Sequence, residues 1–102
     1  MTKPGKSFVA SSNANMRDMT APGPEIHLRG MTVDEAQEAL DKFLDSAILL
    51  GMNQIYVVHG KGTGALRKSM TEFLKQHSAV ASFRLGDWNE GGAGVTIVKL
   101  KQ

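Results

Sequence analysis

The sequence predicts an α/β fold: a two-layer sandwich of order β-α-β-α-β-β, in which a mixed four-stranded sheet carries both helices on one face. Three observations predict it. Two segments repeat their apolar residues at helical spacing, and four short segments are β-branched or alternate in polarity. The helical segments also fall between strands, which makes the strands they join parallel, with right-handed crossovers on one side of the sheet.

The first strand is "EIHLRG", residues 25 to 30, where Ile26 and Leu28 share one face, His27 and Arg29 share the other, and Gly30 ends the run. "TVDEAQEALDKFLDSAILLG" follows as a helix: Thr32 and Glu35 form a capping box, and Gly51 terminates. Its apolar stripe is Val33, Ala36, Leu40, Phe43, Leu44 and Ala47. "QIYVV", 54 to 58, is a buried strand. A glycine loop leads to a second helix with Leu66, Met70, Phe73 and Leu74 on its apolar face, ending near His77 as a C-terminal cap residue. "SFRLG" (82 to 86) and "GVTIVKL" (94 to 100) are the last strands, joined through "DWNEGGA" as a long antiparallel hairpin connection.

Residues 1 to 24 are rich in Ser, Asn, Thr, Gly and Pro, which predicts a flexible leader serving as a linker within a longer protein. The domain proper is expected over 25 to 102. At 102 residues there is room for one core and one site. The absence of cysteine removes disulfides, thiolate chemistry and zinc ribbons, and fits a reducing, cytoplasmic location. Neither a signal peptide nor an apolar run long enough to span a membrane is legible.

The net charge of +2 hides a division along the chain. Residues 32 to 52 carry Asp34, Glu35, Glu38, Asp41 and Asp45 against Lys42; residues 53 to 84 carry Lys61, Arg67, Lys68, Lys75 and Arg84 against Glu72. The second half attracts phosphates and the first repels them. In sheets with parallel strands, ligands collect beyond the carboxyl ends of the strands, so "HLRG" and "HGKGTG" are expected to bring His27, Arg29, His59 and Lys61 around one point.

Within "HGKGTG", Gly60, Gly62 and Gly64 let backbone approach a ligand closely, and the loop opens directly into a helix N-terminus, whose free amides favour an anion. Lys61 adds charge, Thr63 a hydroxyl, and Arg67 and Lys68 stand one turn on. Nucleotide motifs fit poorly: Ala65-Leu66 occupies the Gly-Lys position of a P-loop, and Val80-Ala81-Ser82 falls where a dinucleotide fold keeps its ribose-binding acid. The expected anion is therefore carried on a polymer or a peripheral ligand rather than on a nucleotide cofactor. His59 is the leading candidate for proton transfer, because histidine ordinarily titrates near ~6.5. No cofactor is called for, and two histidines without clustered carboxylates make a poor divalent cage. Trp88, in a glycine-flanked loop, is placed to stack on a base or to pack on its own protein.

"IHLRGMTVDEAQEALDKFLDSAILLG", "IYVVHGKGTGALRKSMTEFLKQH" and "FRLGDWNEGGAGVTIVKL" together resemble the Smr (small MutS-related) domain, in the version carried at the carboxyl end of bacterial MutS2 proteins. The resemblance implies the same β-α-β-α-β-β sandwich and binding to DNA or RNA. It also implies a parent that is a larger, dimerising ATPase, acting in recombination suppression or at collided ribosomes, with the isolated domain monomeric. The family's first motif reads Leu-Asp-Leu-Arg/His-Gly, and here it is Ile26-His27-Leu28-Arg29-Gly30, with His27 at the acidic position. Replacing a carboxylate beside a scissile phosphate removes a base or metal ligand, and also removes repulsion. Two functions follow. One is a nicking endonuclease domain: His59 transfers a proton, Arg29 and Lys61 stabilise the phosphorane charge, the amides of 62 to 64 seat the phosphate, and His27 is a second acid or base. The other is a non-catalytic DNA-, RNA- or ribosome-binding module. No base-reading helix or aromatic platform stands out, so the sequence does not separate DNA from RNA.

Overall fold

A computed structural model describes residues 24–101; the expected leader therefore lies, Pro24 apart, outside the described residues. The elements follow the expected order: β1 (Glu25–His27), α1 (Val33–Leu49), β2 (Gln54–Val58), α2 (Ala65–Gln76), β3 (Val80–Leu85) and β4 (Val95–Leu100). β1 is shorter than its alternating pattern, because Arg29 and Gly30 already turn toward α1.

Both ends of α1 are closed locally. The Thr32 hydroxyl accepts from the Glu35 amide at 3.1 Å and the Glu35 carboxylate accepts from the Thr32 amide at 2.9 Å. At the other end, Gly51 takes φ +73°, its amide donates to Ile48, and the Met52 amide donates to Ala47, a Schellman closure. The helix buries Ala36, Leu40, Phe43, Leu44 and Ala47, while Val33, expected on that stripe, is exposed at the first turn. α2 buries Met70 and Leu74, with Leu66 and Phe73 at the margin. It ends at His77, whose amide donates to Leu74 and whose Nδ1 accepts from the Ala79 amide; Nε2 lies 3.4 Å from Asp41 of α1.

The sheet order is β1-β2-β4-β3. β1 and β2 are parallel, and β4 is antiparallel to both β2 and β3. Thus β3 runs in the same sense as β2, as a helix crossover requires, with the last strand inserted between them. A bulge between Val80 and Ser82 starts β3 two residues before the apolar alternation resumes, which is why the strand is longer than the sequence pattern.

Leu28, Ile55, Val57 and Val98 meet both helices in one core on one face of the sheet. Each fully buried aliphatic side chain there contributes about 1.5–3 kcal/mol by removal from water. The other face buries a smaller cluster of Tyr56, Val58, Val95 and Ile97. Glu25 and His27 share this face by alternation along β1, as does Arg84, paired with Ile97.

Between β3 and β4 the hairpin connection is more structured than its glycines suggest, with 3₁₀ turns at Trp88–Glu90 and Gly92–Gly94. Asp87 and Glu90 cap each other reciprocally, and both Glu90 oxygens accept from the Arg84 guanidinium, at 2.8 and 3.0 Å. Arg84 first, and the Asp87 amide second, hold the Glu90 carboxyl down to about 2 from its ordinary 4.5. A depressed carboxyl stabilises the fold fully above its unfolded value, and that contribution is lost as pH falls from 4.5 toward 2. In urea unfolding across that window, Glu90→Gln should lose less stability than the parent chain, the two curves converging at the acid end; parallel curves would contradict this account of the loop.

Candidate phosphate-binding site

The carboxyl ends of β1 and β2 lie side by side, His27 paired with Val58, and the Leu28 amide donates to the Val58 carbonyl at 2.8 Å to carry the ladder one residue further. Beyond this point the two loops interlock. Gly60 has φ +79°, and a β-carbon on it would stand 2.8 Å from Cδ and 2.9 Å from Cγ of Arg29. The Arg29 stem therefore lies directly on the Gly60 backbone, a contact that only glycine permits. On the other side, the Gly94 carbonyl accepts from two consecutive amides, His59 at 3.1 Å and Gly60 at 2.9 Å.

His59, the leading candidate for proton transfer, is enclosed at the end of β2. It is 4% exposed and lies on the helix side of the sheet. Nδ1 is 2.8 Å from the Gly60 carbonyl, which can only accept, so Nδ1 carries the hydrogen. Burial is the main cause that lowers the His59 pKa; the Gly60 carbonyl opposes it and the Arg67 charge adds to it. The neutral ring then leaves Nε2 as acceptor for the Thr96 hydroxyl at 2.7 Å. Both ring nitrogens are thus engaged within the protein.

Lys61, Gly62 and Thr63 form the exposed tip, closed by a Gly64 amide to Lys61 carbonyl bond of 2.9 Å. Gly64, at φ +88°, is the N-cap of α2 and offers no side chain; Thr63 Oγ1 accepts from Ala65 at 3.3 Å. The amides of Leu66 and Arg67 have no side-chain cap among the described residues. Arg67 folds back so that Nη2 is 3.5 Å from the position a β-carbon on Gly64 would take. Arg29, Lys61, Arg67 and Lys68 make no ion pair among the described residues. The N-termini of the two helices therefore contrast: α1 is self-capped with two acids in its first turn, whereas α2 has no acid and an open end among cations.

His27 stands apart from His59. Its exposed ring is on the opposite face of the sheet, where Nε2–H donates to Glu25 at 3.0 Å. The structure sets the Arg29 stem on Gly60 and Arg67 near Gly64, leaves Lys61, Gly62 and Thr63 as the exposed tip of the glycine cradle between them, puts Lys68 on the adjoining turn, and buries His59 against Gly60 and Thr96. Sequence reasoning missed Glu25, Gly94 and Thr96. Glu25 was legible as the i−2 neighbour of His27 on one strand face, and Thr96 as a lone hydroxyl in an apolar strand; the Gly94 carbonyl is a backbone group with no residue signature. No cluster of three metal-ligating side chains occurs among the described residues, and no helix there is long and apolar enough to cross a membrane.

A family model described as the Smr domain matches residues 26–101. The chain belongs to the Smr domain family. It is 49% identical over 98 residues to a protein named Endonuclease MutS2 from Symbiobacterium thermophilum, a match covering 96% of this chain and 12% of that protein. With Endonuclease MutS2 of Geobacillus kaustophilus it shares 56% identity over 77 residues, covering 76% of this chain and 10% of the relative. The chain thus spans only about a tenth of the length of the curated relatives it matches. The crystal structure of the Smr domain of Thermus thermophilus MutS2 superposes with a TM-score of 0.75 at 45% identity, over 76% of this chain and 98% of that one. YdaL, a stand-alone small MutS-related protein from Escherichia coli, shares the fold at a TM-score of 0.73 and 21% identity, over 82% of this chain and 66% of that one.

In this Smr domain Gly60→Ala should be costly twice over. A non-glycine residue at positive φ costs about 1–2 kcal/mol, and its methyl displaces Arg29 from the loop. Urea unfolding should show at least that loss; a stability equal to that of the parent chain would mean the two loops do not lock through Gly60.

Proposed function

We propose that the domain grips the phosphodiester backbone of DNA or RNA at the carboxyl edge of its sheet. The observation that carries this reading is the start of α2 without a side-chain cap, near Lys61, Arg67 and Lys68, with the Arg29 stem lying on Gly60 of the same loop and no ion pair to any of these four cations among the described residues. A phosphate there would receive the amides of Gly62, Thr63, Leu66 and Arg67, the helix dipole, and the charges of Lys61, Arg29 and Arg67. That the relatives are named endonucleases supports extending the reading to strand cleavage.

For cleavage, we assign the parts by chemical type. Arg29 and Lys61 would stabilise charge on the phosphorane, and the glycine loop would seat the phosphate. Proton transfer falls to His27: Glu25 takes its Nε2–H, which orients the ring and leaves Nδ1 as an exposed acceptor able to activate a water or hydroxyl. His59 acts as a positioning residue. Its two bonds hold Gly60 and Thr96, and its neutral ring adds no repulsion to the cradle's cations. A second reading, a non-catalytic binding module, is favoured by one observation: the position where the family motif carries aspartate is His27.

Binding should weaken steeply with salt, and Lys61→Ala should lower affinity across sequences and reduce the salt slope by about 1. Supercoiled plasmid and structured RNA, incubated with the parent chain, Glu25→Gln and His27→Ala, then separate the two readings. Cleavage by the parent, reduced about 10²–10⁴-fold in His27→Ala, supports the nuclease; binding without cleavage supports the module. Salt-insensitive binding would overturn both.

A further inference from the structure

Trp88 is 91% exposed. Tryptophan is ordinarily among the more buried side chains, and its two rings present about 150–250 Å² of surface that water solvates poorly. Here the exposure does not come from a loose loop. Asp87 and Glu90, flanking the indole, cap each other through backbone and carboxylate; Arg84 grips Glu90 with two nitrogens; and the Gly92 amide donates to the Asp87 carbonyl at 2.9 Å. Gly86 is packed so closely that a β-carbon would come within 3.3 Å of atoms of both Glu90 and Gly92. The indole's backbone is therefore held in one conformation with its ring directed away from the protein.

The loop is also bonded into the phosphate site. It ends at Gly94, whose carbonyl receives the His59 and Gly60 amides, and Val95 pairs with Val58 at the end of β2. Trp88 and the glycine loop thus project from the same edge of the sheet. β3, which leads into Trp88, is two strand positions from β2, on the order of 10 Å at the usual strand spacing. A few nucleotides cover that distance.

We infer that Trp88 is a stacking platform for an unpaired base lying next to the gripped phosphate, so that the domain favours a single-stranded segment over continuous duplex. The inference rests on the backbone-binding reading above and adds to it the class of substrate. A rigid aromatic face loses little entropy on contact, and stacking is tolerant of base identity because every base presents a π-face. In an intact duplex the bases are occupied by their neighbours, and only the phosphate contacts remain.

Trp88 is the sole tryptophan of the chain, so its fluorescence reports its own environment. Titrating the full chain with a short oligothymidylate should quench that emission, whereas a blunt duplex, bound with comparable salt dependence, should leave it nearly unchanged. By anisotropy of labelled strands, Trp88→Ala should weaken oligothymidylate binding about 5- to 150-fold and duplex binding less than about twofold, while Trp88→Phe retains most single-strand affinity. Unaltered thermal unfolding of the variants confirms that the loop is intact. If oligothymidylate binds but the emission does not move and Trp88→Ala binds as the parent does, the stacking role is overturned while the backbone-binding reading stands. If the parent chain binds neither strand form, the backbone-binding reading fails and the inference fails with it.

Discussion

A single carbonyl, that of Gly94, accepts hydrogen bonds from the consecutive amides of His59 and Gly60, and the arrangement of the functional edge depends on this contact. It joins the end of β2 to the β3–β4 connection. With Gly60 drawn to Gly94, the other side of Gly60 is bare backbone, and the Arg29 stem closes over it. The His59 ring seals the joint from below, bonded to Gly60 and to Thr96 of β4. Three loops that are distant in sequence are thereby fixed to one another, and each presents a different group outward: a guanidinium from the first, an ammonium and open helix amides from the second, an indole from the third. Pre-arranged donors of this kind need little reorganisation when an anion arrives.

Charge is distributed to the same end. The acids of α1 are largely spent on its own capping and exposed faces, with Glu35 bonded to Thr32 and Glu38 beside Lys42. At the start of α2, Lys61, Arg67 and Lys68 have no such partners among the described residues, and burial together with Arg67 keeps His59 neutral beneath them. An incoming phosphate is thus the natural counter-charge of this edge. The one carboxylate near the first motif, Glu25, is turned to the opposite sheet face and occupied by His27, so it opposes phosphate binding less than an aspartate in the motif itself would.

Local chemistry made most of the fold legible in the sequence. The capping box at Thr32, the Gly51 closure and the apolar stripes of both helices act over a few residues, and, Val33 apart, each appears where its spacing places it. What escaped was set by tertiary contact. Insertion of β4 between β2 and β3 is decided by pairing across long loops. The burial of His59 goes with its bond to Thr96, 37 residues away, a partner that the histidine's place at a strand end does not reveal. The order of the β3–β4 loop was partly written in "DWNE", a capping-box spacing masked by the glycines that follow it. At the site, the residue types of the cradle were readable from composition and spacing, but their division between the two faces of the sheet was not, because it turns on where β1 stops and the chain begins to twist toward α1.

The central claim is that the two strand-end loops make one anion site, and amide chemical-shift mapping during titration with a short oligonucleotide tests it most directly. The account predicts that the largest shifts fall on Arg29, on residues 60 to 67 and on Gly94, moving together with one affinity. Shifts concentrated instead at the far end of α1, around the exposed Leu49 and Leu50, would contradict it.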